Sequence, residues 1–247
     1  MFDLHGRVAL VTGAGQGVGA EIARALARQG AMVAVNDLVA DRAEAVVEQI
    51  KAGGGQAVAT PFDVTDLPLV REGIARLLQV DILVNNAGNS GTTERMLVRQ
   101  FVDMEPESWE GPIRVNLYGV LHCCSAVVGG MCERGWGRVI TISSGAATAG
   151  VGIGVTPYSA GKGGGIAFTR SLALEVAPSG VTANTLAIGL MESPESPQVT
   201  ARLARAIPVG RTGTPADVAG ACVWLASEEA AWVTGQTIQI NGGSVTT

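Results

Sequence analysis

The chain has 247 residues, 47% hydrophobic and 16% charged, with a net charge of −5, so it can fill a sizeable core and is not expected to be disordered. No basic block marks a nucleic-acid surface, and no apolar run is expected to span a membrane. The 34 glycines follow no three-residue period, which excludes collagen; they cluster, and each cluster needs a local reason.

The elements alternate along the chain. Val8–Thr12 is a short apolar run before a glycine cluster and is predicted as a buried strand; Glu21–Gln29 has helical spacing and stops at Gly30. A strand follows at Met32–Asn36, a helix at Asp41–Ala52, a strand at Ala57–Phe62, a helix at Leu69–Leu78 and a strand at Asp81–Val84. Trp109–Met131 is a long helical stretch, followed by a strand at Val139–Ser143 and a helix at Pro157–Val176. Val181–Ala187 (strand), Ala216–Leu225 (helix) and Thr237–Ile240 (strand) complete the series. This rhythm predicts one α/β domain over residues 1–247: a single doubly wound parallel sheet of Rossmann type with helices on both faces. Ligands of such sheets bind beyond the carboxyl ends of the strands.

Cys123, Cys124, Cys132 and Cys222, with two histidines, make no convincing zinc spacing, so no metal is expected. They read as buried thiols in a reducing compartment. Met1–Arg7 lacks a basic stretch followed by an apolar one, so no secretory signal is expected and the location is read as cytoplasmic.

Thr12–Gly19 joins the first strand to the first helix. Glycines there let the backbone approach a pyrophosphate, and the helix offers free N–H groups. Gly15, Gly17 and Ala20 match G-x-G-x-x-G/A; Gly13, Gly17 and Gly19 match another spacing. Asp37 ends the second strand about 20 residues on, where an acid would bond the ribose hydroxyls. It would repel a 2′-phosphate by roughly 4 kcal/mol at close range and an effective dielectric of about 20. Its neighbours Gln16 and Leu38 are not basic, so NAD is favoured over NADP.

Tyr158 and Lys162 stand four apart and share a helical face. A lone phenol titrates near pH 10, and an ammonium beside it would lower that value and make it a usable acid/base. Ser143-Ser144 ends the preceding strand, Asn85-Asn86-Ala87-Gly88 ends the fourth, and Asn116 interrupts a helical run where its propensity is poor. Taken together, T-G-x-x-x-G-x-G (Thr12, Gly13, Gly17, Gly19), N-N-A-G (Asn85 to Gly88) and Y-x-x-x-K (Tyr158, Lys162) resemble the short-chain dehydrogenases/reductases from about Leu4 to Gly243.

The resemblance selects the second glycine spacing and implies the roles. Tyr158 would be the acid/base, and Lys162 would lower its pKa and hold the nicotinamide ribose. Ser144 would polarise the substrate oxygen, and Asn116 would hold a relay water. Gly13, Gln16, Gly17 and Val18 would meet the pyrophosphate, Asp63-Val64 the adenine, and Asn86, Ala87 and Gly88 the ribose side. Ile188, Gly189 and Met191 would meet the nicotinamide amide. Ser144 lies 14 residues before Tyr158, one more than is usual, so Ser143 competes for its role. Ile188-Gly189 stands where the family often has Pro-Gly.

The implied reaction interconverts a secondary alcohol and a ketone. A 3-hydroxyacyl/3-oxoacyl thioester competes with a cyclic or steroid-like alcohol as substrate. A substrate loop is expected over 189–207, with Arg202 and Arg205 near its end, and Asn89–Glu105 would form the other wall. A non-catalytic NAD-binding regulator and an NADPH-dependent reductase are the remaining readings. By family habit the chain is a homo-oligomer, a tetramer or dimer. Gly163-Gly164-Gly165 reads as a helix approaching another subunit closely.

Overall fold

The computed structural model describes residues 1–89, 98–192 and 202–246. Seven strands form one sheet: β1 Val8–Val11, β2 Met32–Val35, β3 Gln56–Ala59, β4 Ile82–Asn85, β5 Gly137–Ser144, β6 Val181–Ile188 and β7 Thr237–Ile240. Their order is β3-β2-β1-β4-β5-β6-β7, and every pairing is parallel. The chain winds outward from β1 to β3, then crosses to β4 on the other side of β1. This puts a crevice between the carboxyl ends of β1 and β4.

The core forms two layers because alternate strand residues point to opposite faces. Ala9, Val11, Ile82, Val84 and Ile140 pack with helices α1 (Gly17–Arg28), α2 (Ala40–Ala52) and α8 (Pro215–Ala226). Leu10, Leu83 and Val139 face the other way, toward α3 (Leu67–Ala75), α5 (Gly119–Glu133) and α7 (Thr156–Val176). Both faces are covered at the central strands, as their continuous apolar runs required, while Gln56 and Val58 of edge strand β3 are exposed.

The differences from the predicted elements have local causes. Helix α1 begins at Gly17, since the Gly-Val-Gly-Ala turn is helical despite its composition. Strand β3 ends at Ala59 because the carbonyls of Thr60 and Phe62 are taken by the Asn36 side chain instead of a neighbouring strand. Helix α3 starts at Leu67, where the Asp66 side chain caps it by accepting from Leu69 N, and ends at Ala75. The long helix runs from α4 (Glu107–Ile113) through one π turn, Arg114–Tyr118, into α5. Contrary to the expectation of no span-length run, this stretch is long and apolar enough to cross a bilayer by length and composition. Its inner residues Val115, Val120, Cys123, Val127 and Met131 pack in the core. A one-turn helix, α6 (Gly145–Thr148), was not foreseen.

The glycines after Lys162 also have close neighbours within the chain. A Cβ on Gly164 would meet Leu117 side-chain atoms at 3.1 Å, and one on Gly161 would meet Asn116 Cβ and the Pro112 carbonyl at 3.0 Å. Close approach is within the chain, between α7 and the π turn. Gly163 alone of the three faces open space.

Candidate active site

Two regions meet at the carboxyl ends of the strands. The first is the glycine loop. Gly13 and Gly17 have φ of +59° and +55°, and a Cβ on Gly13 would sit 2.8 Å from Ala87 Cα. Gly19 has no room for a side chain against Asn86 and the Gly13 carbonyl. These requirements follow the Gly13, Gly17, Gly19 spacing. The loop is braced from β4: Asn86 Nδ2 donates to the carbonyls of Thr12 and Gly13, both at 2.9 Å, and Thr12 Oγ1 accepts from the N–H groups of Asn86 and Ala87, both at 3.0 Å. Asn86 thus holds the loop with its side chain rather than presenting that side chain to a ribose.

Helix α1 opens behind this loop with Gln16 at its N-cap, no side-chain cap and no acid in its first turn. A Cβ on Gly17 would meet nothing within 4 Å. Uncapped N–H groups behind an open glycine fit an anionic pyrophosphate. Asp37 lies beside them, 7% exposed; its Oδ2 accepts from Gly15 N and its Oδ1 from Val39 N, both at 3.0 Å. Beyond β3, Asp63 Oδ1 accepts from Thr65 N, and the Val64 carbonyl faces His122 Nδ1 at 3.0 Å. Arg42 was missed by the sequence reading, which weighed only Gln16 and Leu38. A Cβ on Gly15 would touch both Arg42 Cβ and Asp37 Oδ2 at 2.6 Å, so a basic residue does flank the acid. Its position on the first turn of α2 was the available signal.

The second region is built on β5 and α7. Tyr158 and Lys162 share a face of α7, and Lys162 Nζ lies 6.0 Å from the centre of the Tyr158 ring. The two serines separate cleanly. Ser143 is buried and donates to the Lys162 carbonyl at 3.2 Å. Ser144 caps α6, its Oγ accepting from Ala146 N at 3.2 Å, and its hydroxyl holds the Tyr158 pKa down against burial. Ser143 is thus committed to the backbone, and Ser144 is the serine that acts on the Tyr158 phenol. In the connection between α6 and α7, Gly150 and Gly154 have φ of +76° and +79°.

Asn116 sits in the π turn. Its Nδ2 donates to the carbonyls of Asn89 and Pro112 at 2.8 and 2.7 Å, and its Oδ1 accepts from Asn89 N at 3.2 Å. A π turn shifts side-chain direction within a helix and is common at functional sites. Asn89 itself holds φ +79° to meet it. A Cβ on Gly88 would fall 2.8 Å from both Asn116 Oδ1 and Lys162 Nζ, so Gly88 lets these two groups approach the end of β4.

The electrostatics depart from the expectation at one point. Burial pushes the Tyr158 phenol up, and the Ser144 hydroxyl only partly offsets it. Lys162 does not lower it here: its ammonium donates to the Ile142 carbonyl at 2.7 Å, and burial brings its own pKa down to about 8. Short sequence spacing put the two on one face but did not say where the ammonium points.

The remaining sites bound the crevice. Gly189 follows β6, with its N–H on the Ile240 carbonyl at 2.9 Å and no room for a Cβ against Asn241. Ile188 pairs with Ile240, and Met191 bridges to Gly213 with its sulfur turned toward that residue. Residues 193–201 of the expected substrate loop and 90–97 of the opposite wall lie outside the described residues. Arg202 and Arg205 are exposed. No cluster of three or more His, Cys, Asp or Glu that could hold a metal occurs among the described residues.

A family model described as enoyl-(acyl carrier protein) reductase matches residues 13–245. The chain is 38% identical over 246 residues to the 3-oxoacyl-[acyl-carrier-protein] reductase FabG of Escherichia coli K12, covering 98% of both.

The chain is a short-chain dehydrogenase/reductase.

Solved structures of the family agree. A 3-oxoacyl-[acyl-carrier protein] reductase from Brucella melitensis with bound NAD superposes with a TM-score of 0.93 at 33% identity, over 99% of this chain and 94% of that one. A gluconate 5-dehydrogenase from Burkholderia cenocepacia J2315, in complex with NADP and tartrate, gives 0.89 at 34% identity, over 98% and 96%. As a short-chain dehydrogenase/reductase the chain is an oxidoreductase of CH–OH groups that uses a nicotinamide dinucleotide. The comparisons favour neither the non-catalytic regulator nor the steroid-like alcohol.

Proposed function

We propose that this short-chain dehydrogenase/reductase prefers NAD(H) and interconverts a 3-hydroxyacyl and a 3-oxoacyl thioester. The cofactor preference rests on one observation, the buried Asp37 carboxylate aligned by the N–H groups of Gly15 and Val39 at the end of β2. A fixed carboxylate suits two ribose hydroxyls and opposes a 2′-phosphate. Arg42, whose Cβ flanks Gly15 and Asp37 on the first turn of α2, favours NADP.

When bound, the nicotinamide supplies or accepts the hydride at the substrate carbon. Gly13, Gln16, Gly17 and Val18 would hold the pyrophosphate, Asp63 and Val64 the adenine side, Ala87 and Gly88 the ribose side, and Ile188, Gly189 and Met191 the nicotinamide amide. In reduction, Ser144 donates a hydrogen bond to the ketone oxygen and Tyr158 gives that oxygen its proton; in oxidation Tyr158 removes the hydroxyl proton. The buried Lys162 ammonium stabilises the phenolate form once it turns from the Ile142 carbonyl, and Asn116 with Asn89 holds the water that returns the proton.

The thioester reading is supported by the relatives' substrates. We place the enzyme in the cytoplasm, in keeping with four free cysteines. We place a second copy of the chain against edge strand β7 and the outer face of α7. There a groove of about 810 Å³ is lined by Gly163, Arg170, Leu174 and Gln239. Leu174→Arg should then reduce the mass measured by light scattering.

The deciding experiment assays acetoacetyl-CoA and a set of cyclic ketones with NADH and NADPH, following loss of the reduced nicotinamide. Faster turnover of the thioester with NADH is expected. A lower KM for NADPH would overturn the reading of Asp37, and a cyclic ketone turned over faster would overturn the thioester.

A further inference from the structure

Asn36 follows β2 and is 1% exposed. Its backbone carbonyl accepts from Ala14 N at 2.7 Å, and its side-chain Oδ1 takes Gly13 N at a long 3.4 Å. Its Nδ2 donates to the carbonyls of Thr60 and Phe62, both at 3.0 Å. The next residue is Asp37, whose carboxylate holds Gly15 N. One buried amide therefore ties three segments: the glycine loop, the ribose acid and the stretch leading into Asp63-Val64. These bonds join Asn36 to the chain just beyond β3.

Only an amide of this length can do all of this. It needs two donors for the carbonyls and an acceptor for Gly13 in one planar group. A carboxylate keeps the acceptor and loses both donors. An aliphatic side chain loses everything and leaves buried carbonyls unpaired.

We propose that Asn36 is a positioning residue for the adenosine half of the dinucleotide, setting the separation between the glycine loop and the Thr60–Val64 segment. This rests on the dinucleotide reading of the site. The three segments it joins all belong to the adenosine half. The groups around Tyr158, Lys162 and Asn116 share no hydrogen bond with it among the described residues. Disturbing Asn36 should therefore weaken adenosine binding without changing the chemical step.

The test measures ADP-ribose and NAD binding by titration calorimetry in the wild type and in Asn36→Ala, Asn36→Asp and Asn36→Ser, with kcat at saturating NAD. Ser is small and polar and serves as the variant least liable to misfold. The expected result is a tenfold or greater rise in the Kd of both ligands for Ala and Asp, a smaller rise for Ser, and kcat within threefold of wild type. A lowered melting temperature with ADP-ribose affinity within twofold of wild type would show a purely structural role and overturn the proposal. A fall in kcat as large as the loss of affinity would overturn its restriction to the adenosine half. If the wild type does not bind ADP-ribose, the dinucleotide reading itself fails and this inference falls with it.

Discussion

Two buried cations stand near opposite ends of the same strand, and their surroundings differ. Arg138 opens β5 at 2% exposure. Its guanidinium reaches the carbonyls of Ser227, Gly137 and Gly180 and the Glu228 carboxylate, and it stacks on Trp136, with Arg7 also over that ring. Trp136 Nε1 donates to the same carboxylate at 2.6 Å. Lys162, beside the other end of β5, has the Ile142 carbonyl as its hydrogen-bond acceptor and no salt bridge among the described residues. A buried charge with a full set of partners is part of the framework. A buried charge short of partners is unfavourable to the fold and marks a site where another group is meant to complete it.

That contrast can be broken in several ways. The largest effect is expected at the under-partnered end: Tyr158→Phe should reduce turnover about a thousandfold while NAD binding stays within a few-fold, as measured by steady-state kinetics and calorimetry. Turnover near wild type would remove Tyr158 from the chemistry. At the other end, Arg138→Ala should lower the free energy of unfolding by about 3 kcal/mol in urea titrations and leave cofactor affinity unchanged.

Lys162→Met should act in the opposite sense on stability. It should abolish most turnover yet raise the unfolding free energy of the free protein at pH 7 by about 1 kcal/mol, because an isolated buried ammonium is replaced by an apolar chain of similar length. If both cations prove equally stabilising, the contrast is wrong. The pH dependence sharpens it. The Lys162 pKa falls from 10.5 unfolded to about 8 folded, so the unfolded chain binds more protons between these values. The penalty is complete below about pH 8. Wild-type stability should therefore rise relative to Lys162→Met as pH increases from about 8 to 10.5, a trend that paired urea titrations would detect.

The smallest effect is expected at Arg42. Arg42→Ala should lower any residual use of NADPH severalfold and leave NADH kinetics nearly unchanged. A larger loss with NADH would mean that Arg42 serves the cofactor in another way.

Much of this site was legible along the chain. Gly13, Gly17 and Gly19 announce a backbone that must turn and approach closely, and Asp37 follows at the distance that one helix and one strand impose. Tyr158 and Lys162 share a face because helical geometry makes it so. The ambiguity between Ser143 and Ser144 was not resolvable there, because strand alternation puts neighbours on opposite faces without saying which face is the site. The intrachain neighbour of Gly164, Leu117, was not legible because a glycine has no side chain to show what it packs against. Arg42 was overlooked because the first turn of α2, not chain adjacency, brings its Cβ beside Gly15 and Asp37.

The sequence by itself determined the alternation of strands and helices, which follows from local periodicity, and its motifs were enough for the family resemblance that nominates the phosphate loop and the catalytic face. Only the tertiary structure decided how those pieces meet. The π turn that aims Asn116, the Asn36 amide that joins three loops and the direction of the Lys162 ammonium all depend on acceptors from distant parts of the chain. Hydrogen bonds of that kind form between segments that only folding brings together.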